Sequence, residues 1–262
     1  MRDFPWYPAV AATILAAGVL VACETVPYTG RSQLQLMSPQ QESQMGAQAY
    51  KEIVGKAKVS TDAALSEMVA RVGKRIADVS GHPDYQWEYR LIQDDKQVNA
   101  FALPGGKVAV YTGILPVTRD ENGLAAVLGH EIGHVVARHG GERVSQQMGV
   151  SVFVETLAAL SSGNPATVQA VSALLGAGAS VGVLLPWSRA QESEADHLGL
   201  ILMAKAGYDP HAARDLWVRM AELSSTGGGK PPEFLSTHPS EPTRIAQIQA
   251  WMPEAMQYYK PR

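Results

Sequence analysis

Residues 130–139 read HEIGHVVARH, placing three histidines and one glutamate within ten positions. In a helix of 3.6 residues per turn, His130 and His134 fall about 40° apart on one face, one turn above the other. Two imidazoles so placed can share one tetrahedral Zn²⁺ at roughly 2.0–2.1 Å. Glu131 lies about 100° round the helix from His130, so it can border a metal without binding it. A general base acting on metal-activated water belongs there. His139 falls about 180° from His130 and is rejected as a ligand on that geometry. A third ligand has to come from elsewhere. The five-residue pattern also occurs by chance in helices whose histidines are ordinary core or surface residues, so it needs independent support.

The surrounding segment ENGLAAVLGHEIGHVVARHG (121–140) has the period of a single helix. Apolar residues recur at Leu124, Val127, Leu128, Ile132, Val135 and Val136, and Gly140-Gly141 supply a stop signal. The whole chain has 262 residues, 46% of them hydrophobic and 18% charged, enough to build a sizeable globular core. A formal net charge of −3, with no basic stripe, argues against nucleic acid as a partner.

The first 22 residues read as a signal peptide and stand outside the fold argument. Met1 and Arg2 precede an apolar run, PAVAATILAAGVLVA, too short and too rich in Ala and Gly to read first as a spanning helix. The run ends Leu20-Val21-Ala22-Cys23, and Cys23 is the sole cysteine of the sequence. This ending resembles the bacterial lipobox, which implies lipidation of Cys23 and a membrane anchor through that lipid. Glu24, rather than Asp, after the cysteine favours delivery to the outer membrane, facing the periplasm of a bacterial envelope. Residues 23–40 are polar and turn-rich, as expected of a lipidated tether. Residues 41–262 are expected to form a single metallopeptidase domain.

Within that domain the patterns predict helices at about 40–55 and 62–80, and strands at 86–91 and 107–112. Between the strands lies NAFALPGG, an apolar stretch ending in a turn. Helical patterns then follow at 142–161, 166–184, 188–206, 210–224 and 240–257, separated by Gly, Pro and Asn. Segment 166–184 approaches spanning length, but its polar and small residues favour a buried helix over a second anchor. The expected fold class is therefore α+β and mostly helical, with a small β-sheet beside the HExxH helix.

Further along, SRAQESEADHLG carries Glu192, Glu194 and Asp196. Such a cluster is usually a solvated acidic face. Glu192 and Asp196, however, stand one turn apart, while Ala195, Leu198 and Leu202 cover another side. One carboxylate of the pair can ligate zinc while the other accepts a hydrogen bond from a ligating imidazole. Two histidines and one carboxylate leave a fourth position for water, as a catalytic zinc site requires.

With HEIGH followed by Glu-x-x-Ala-Asp, the chain resembles the gluzincin peptidases of the CAAX prenyl endopeptidase and HtpX family, and among them a periplasmic lipoprotein branch of outer-membrane quality control. The motifs VPYTGRSQLQLMS, VNAFALPGGKVAVYTGIL, LAAVLGHEIGHVVARHG, SRAQESEADHLG and THPSEPTRI carry the resemblance in that order. It implies a zincin-like fold, one Zn²⁺ per chain, His130, His134 and Glu192 as ligands, and Glu131 as catalytic base. It makes Asp196 the second carboxylate, described for the family as a proton donor but better suited to holding a zinc histidine, and leaves Glu194 a bystander. It brings His238 to the metal, either as a fourth ligand that makes the resting enzyme latent or as a catalytic group. It places Arg244 by the cleft, where it could stabilise an oxyanion.

The expected reaction is endoproteolysis of unfolded or misassembled envelope proteins, with envelope assembly machinery as a possible partner. A substrate segment would lie along NAFALPGGKVAVY by strand addition. The alternative is a non-proteolytic zinc-binding chaperone or assembly factor that keeps the same metal site. Glu131 argues against it, because structural zinc needs no carboxylate beside its ligands.

Overall fold

The computed structural model describes residues 23–160, 188–226, 233–238 and 242–261. Its elements are β1 (Cys23–Thr25), β2 (Ser32–Leu34), α1 (Pro39–Lys56), α2 (Ala63–Asp78), β3 (Glu88–Ile92), β4 (Ala100–Leu103) and β5 (Lys107–Tyr111). After one 3-10 turn, Thr112–Ile114, come α3 (Leu115–Thr118), α4 (Glu121–Val136), α5 (His139–Leu160), α6 (Arg189–Lys205), α7 (His211–Thr226), α8 (Glu233–Thr237) and α9 (Pro242–Tyr258). The mostly helical α+β class read from the sequence is the one observed. The buried helix expected at 166–184 lies outside the described residues. Among the described residues no helix is long and apolar enough to cross a membrane.

Local chemistry sets the ends of the elements. Asp62 caps α2 by accepting from the Leu65 N–H, and Asp120 caps α4 by accepting from the Gly123 N–H. Ser188 and Gln191 form a reciprocal capping box on α6. In the three-stranded sheet, β5 lies between β3, to which it is parallel, and β4, to which it is antiparallel. Strands β4 and β5 are joined at Pro104-Gly105-Gly106, where both glycines have positive φ (81° and 86°). A Cβ on Gly106 would also strike Trp87. The central strand buries Val108, Ala109 and Val110 completely, as expected for residues covered on both faces.

The chain divides into two compact units, with the division falling inside α5 after Gly140. In the smaller unit (1–38 and 141–179), β1 and β2 form an antiparallel hairpin with Cys23 opposite Leu34. Arg31 donates to both oxygens of Glu142, at 2.7 and 2.9 Å, and ties the hairpin to α5. The stretch read as a tether thus contains ordered structure, because Gly30, at φ 69°, closes a turn that patterning alone does not reveal.

The larger unit (39–140 and 180–262) is organised around α4, which is buried on every side from Gly123 to Val136. Its partner α6 approaches at a seam without side chains. A Cβ on Gly129 would stand 2.8 Å from the Gly199 carbonyl oxygen, one on Gly133 would stand 2.8 Å from that of Ala195, and one on Gly199 would meet the His130 nitrogen at 2.7 Å. Gly129 and Gly133 lie one turn apart, so the two backbones meet over more than a full turn. One boundary differs from expectation. Helix α4 ends at Val136, and Gly140 and Gly141 lie inside α5. The chain reverses at Arg138, a non-glycine residue with φ 55°. Its guanidinium is held by the buried Glu42 carboxylate at 2.7 Å, a specific contact that offsets the left-handed conformation.

Gly199→Ala should therefore force α4 and α6 apart. Overpacking of this kind costs about 1–3 kcal/mol, and Tm should fall by several °C. Gly149→Ala in α5, with nothing within 4 Å of the new methyl, should leave Tm unchanged or raise it. Thermal unfolding of both variants, with zinc content measured alongside, checks the seam. Equal Tm values would remove it from the account.

Candidate active site

Helix α4 carries His130, Glu131 and His134, α6 carries Glu192 and Asp196, His238 follows the short α8, and Arg244 lies in the first turns of α9. All seven side chains are buried. His130 Nε2 stands 3.2 Å from His134 Nε2 and 3.1 Å from His238 Nδ1. Glu192 Oε1 lies 2.9 Å from His238 Nδ1 and 3.3 Å from His134 Nε2, while Glu192 Oε2 is 3.5 Å from His130 Nε2. Tetrahedral bonds of 2.0–2.1 Å give ligand-to-ligand edges of about 3.3 Å, so the separations match one zinc. Three imidazole nitrogens and a carboxylate crowded this closely, away from water, are a donor set that calls for a cation. The residues present fit Zn²⁺, with His130, His134, Glu192 and His238 able to hold it.

Neighbouring groups aim each donor. His130 donates through Nδ1 to Asp196 Oδ1 at 2.9 Å, which leaves the Nε2 lone pair facing the cluster. Asp196 in turn accepts two hydrogen bonds from Arg244. The Arg244 guanidinium stacks 3.4 Å from the Trp217 ring centroid, and its Nη1 lies 2.9 Å from Glu192 Oε2. Arg244, expected to serve a developing oxyanion, is thus engaged with Glu192 and Asp196 of α6. His238 is set by Phe234, a fully buried ring 4.7 Å from its own, and by its backbone N–H bonding to Phe234 O.

The electrostatics separate the two glutamates. Burial pushes the Glu131 carboxyl up to about 8; the Glu192 charge adds to this, against the opposing charge of His130 and a hydrogen bond from the Ala102 backbone. Burial would also raise Glu192, but hydrogen bonds from His134 and His238 outweigh it and hold the carboxyl far below the usual range. Asp196 is likewise held low against its burial, by the Arg244 charge and the His130 hydrogen bond. Burial drives the His134 imidazole towards its neutral, ligating form, against Glu192. Among the described residues Glu131 Oε1 has no hydrogen-bond partner, and it stands 3.4 Å from His238 Nε2. A buried acid of raised pKa beside a metal site is suited to proton transfer near neutral pH.

Two residues depart from their sequence reading. His139, rejected as a ligand, is fully buried rather than facing away from the site, and its Nδ1 lies 2.8 Å from His134 Nδ1. Glu194, read as a bystander, is buried and accepts from His139 Nε2 at 2.9 Å. Because α6 is buried on nearly all sides, a carboxylate two residues from a ligand still faces protein. Gly129, Gly133, Gly199, Trp217 and Phe234 were also not singled out; small residues flanking both motifs were the available signal for the first three.

The fold and the donor set together define a zinc metallopeptidase. Residues 63–252 match the profile of Peptidase family M48, and the chain belongs to that family of metalloendopeptidases. It is 41% identical over 259 residues to the mitochondrial metalloendopeptidase OMA1 of Schizosaccharomyces pombe, covering 97% of this chain and 74% of that protein. It is 35% identical to the OMA1 of Saccharomyces cerevisiae over 179 residues, 67% of this chain and 50% of that one. Against the beta-barrel assembly-enhancing protease of Escherichia coli it is 28% identical over 229 residues, 86% of this chain and 46% of that one. The chain thus spans about half the length of the last two.

These relatives correct the expected location. A bacterial outer membrane facing the periplasm was inferred from an apolar run ending Leu20-Val21-Ala22-Cys23 and from Glu24 after it, but relatives aligned over up to 97% of the chain are named as mitochondrial proteins. A short apolar run ending in one cysteine is a brief pattern that carries little information by itself. A match over nearly the whole chain outweighs it.

The raised Glu131 value gives a pH signature in metal-free protein. Its folded pKa of about 8 exceeds the ordinary 4.5, so stability linked to this group is complete below pH 4.5 and is lost as pH rises towards 8. In chelator-treated protein Glu131→Gln should therefore be more stable than wild type, by a margin that grows from pH 5 to pH 8. Parallel denaturation curves at several pH values check this; a margin that is constant or shrinks would contradict it.

Proposed function

We propose that this chain is a zinc endopeptidase acting on extended or unfolded protein segments, with Glu131 as the proton-transferring base. The observation that carries the reading is Glu131 itself: buried, with Oε1 unbonded among the described residues, beside four converging donor atoms. When bound, the metal supplies Lewis-acid polarisation of the scissile carbonyl and acidifies water. Glu131 accepts the proton of the attacking water and delivers it to the leaving amine nitrogen. Asp196 keeps the His130 tautomer correct, and Arg244 keeps Asp196 in place.

Substrate binding is assigned to β4. This strand lies at the edge of the sheet in the order β3-β5-β4, and its Ala102 backbone bonds Glu131. A segment added alongside β4 would pass the base with its peptide bonds aligned, gaining affinity from backbone hydrogen bonds rather than deep side-chain pockets. His238 Nδ1 stands at the fourth corner of the donor cluster, where the reaction needs water. We assign it a latency role: its displacement opens the site. A lipid on Cys23 remains a proposal about that residue alone, tested by acyl labelling of wild type against Cys23→Ala.

Glu131→Gln should lower casein cleavage by on the order of 10²–10⁴-fold while leaving zinc bound. Near-normal turnover by the metal-loaded variant would sink the reading and favour a non-catalytic binding protein. His238→Ala should raise basal cleavage, with zinc kept by the other three ligands. A fall in rate with zinc intact would instead assign His238 to catalysis.

A further inference from the structure

The two zinc-facing histidines of α4 are supported in different ways. His130 meets a carboxylate directly, whereas His134 meets another imidazole. We propose that His139 and Glu194 form a positioning relay that fixes the metal-facing tautomer of His134. The proposal rests on the reading of His134 as a zinc ligand.

The geometry constrains the protons. His139 Nε2 lies 2.9 Å from Glu194 Oε2, and an ionised carboxylate can only accept, so the proton sits on His139 Nε2. A neutral His139 then presents a lone pair at Nδ1. That atom faces His134 Nδ1 at 2.8 Å, and one proton must lie between the two nitrogens. With zinc bound it belongs to His134, whose Nε2 then carries a lone pair for the metal in place of the hydrogen bond it makes to Glu192 in the metal-free chain. The carboxylate thus sets the tautomer of the ligand through an intervening ring.

The backbone is shaped for this contact. With Arg138 at φ 55°, the chain turns back on itself two residues after α4 ends, and His139, the first residue of α5, brings its ring edge-on to His134. The ring centroids are 4.9 Å apart at 72°. His139 is fully buried and Glu194 is 6% exposed, so water does not compete strongly for either bond.

The test compares substitutions that fill the same space with and without the hydrogen bonds. In His139→Gln, one amide can accept from His134 Nδ1–H and donate to Glu194, while His139→Leu and Glu194→Leu keep bulk alone. In the full chain, zinc affinity measured by chelator competition should fall about 10–100-fold in both Leu variants, the range typical of losing a ligand's orienting partner. His139→Gln should recover most of it. Each single Leu variant strands a buried partner and should also lower the metal-free Tm, whereas the double variant His139→Leu/Glu194→Leu, which replaces the whole pair, should cost far less metal-free stability and still lose zinc affinity. Nitrogen NMR of the zinc-loaded chain should show the His134 proton on Nδ1. Wild-type zinc affinity in His139→Leu would overturn the relay alone. Loss of affinity in every variant, the double included, in proportion to lost metal-free stability would reduce it to packing. A wild-type chain that binds no zinc would overturn the ligand reading and the relay with it.

Discussion

The site depends on how closely two helix backbones can approach. Gly129 and Gly133 on α4 face Gly199 and the Ala195 carbonyl on α6, and no Cβ fits at any of the three glycines without a contact of 2.8 Å or less to backbone. Helix separations are ordinarily about 8–10 Å and depend on the side chains at the contact. Here Glu192 lies within 3.5 Å of both His130 and His134, and Asp196, a turn later, reaches the far side of the His130 ring. The glycines lack side chains for catalysis, yet they set the geometry that catalysis uses.

Burial then differentiates chemically similar groups. Glu131 and Glu192 occupy the same dry cluster, but Glu192 is surrounded by imidazole donors and stays ionised, whereas Glu131 has fewer compensating bonds and rises to about 8. In the metal-free chain one carboxylate is thus held as an anion among the donor atoms, while the other stays protonated up to about pH 8. The environment creates this division, since the side chains are identical. The Arg244 guanidinium, pressed against Trp217 and bonded to Asp196, supplies the fixed positive charge that keeps the supporting carboxylate ionised without making it a ligand.

Much of this was legible in the sequence wherever a residue's role followed from helical period. The spacing of His130 and His134, the offset of Glu131, and the one-turn pair Glu192 and Asp196 all translate directly into shared faces. Helix positions along the chain were legible for the same reason. His139 and Glu194 were not. The angle used to remove His139 from the ligands assumed one unbroken helix to Gly140, whereas Arg138 breaks it in a conformation that pattern rules reserve for glycine. Glu194 looked solvent-facing because its helix was read as amphipathic, but α6 is buried on almost every side. Long-range partners such as Glu42 for Arg138 leave no local mark. The hairpin at 23–34 was hidden by its polar composition, and the expected location failed because a brief motif was set against no competing information.

The central claim is that His130, His134, Glu192 and His238 surround one zinc ion. X-ray absorption spectroscopy of the zinc-loaded chain tests it most directly. The account predicts four nitrogen or oxygen neighbours at about 2.0–2.1 Å, with outer-shell scattering from three imidazoles in wild type and from two in His238→Ala. A six-coordinate oxygen shell, or imidazole scattering unchanged by removal of His238, would contradict it.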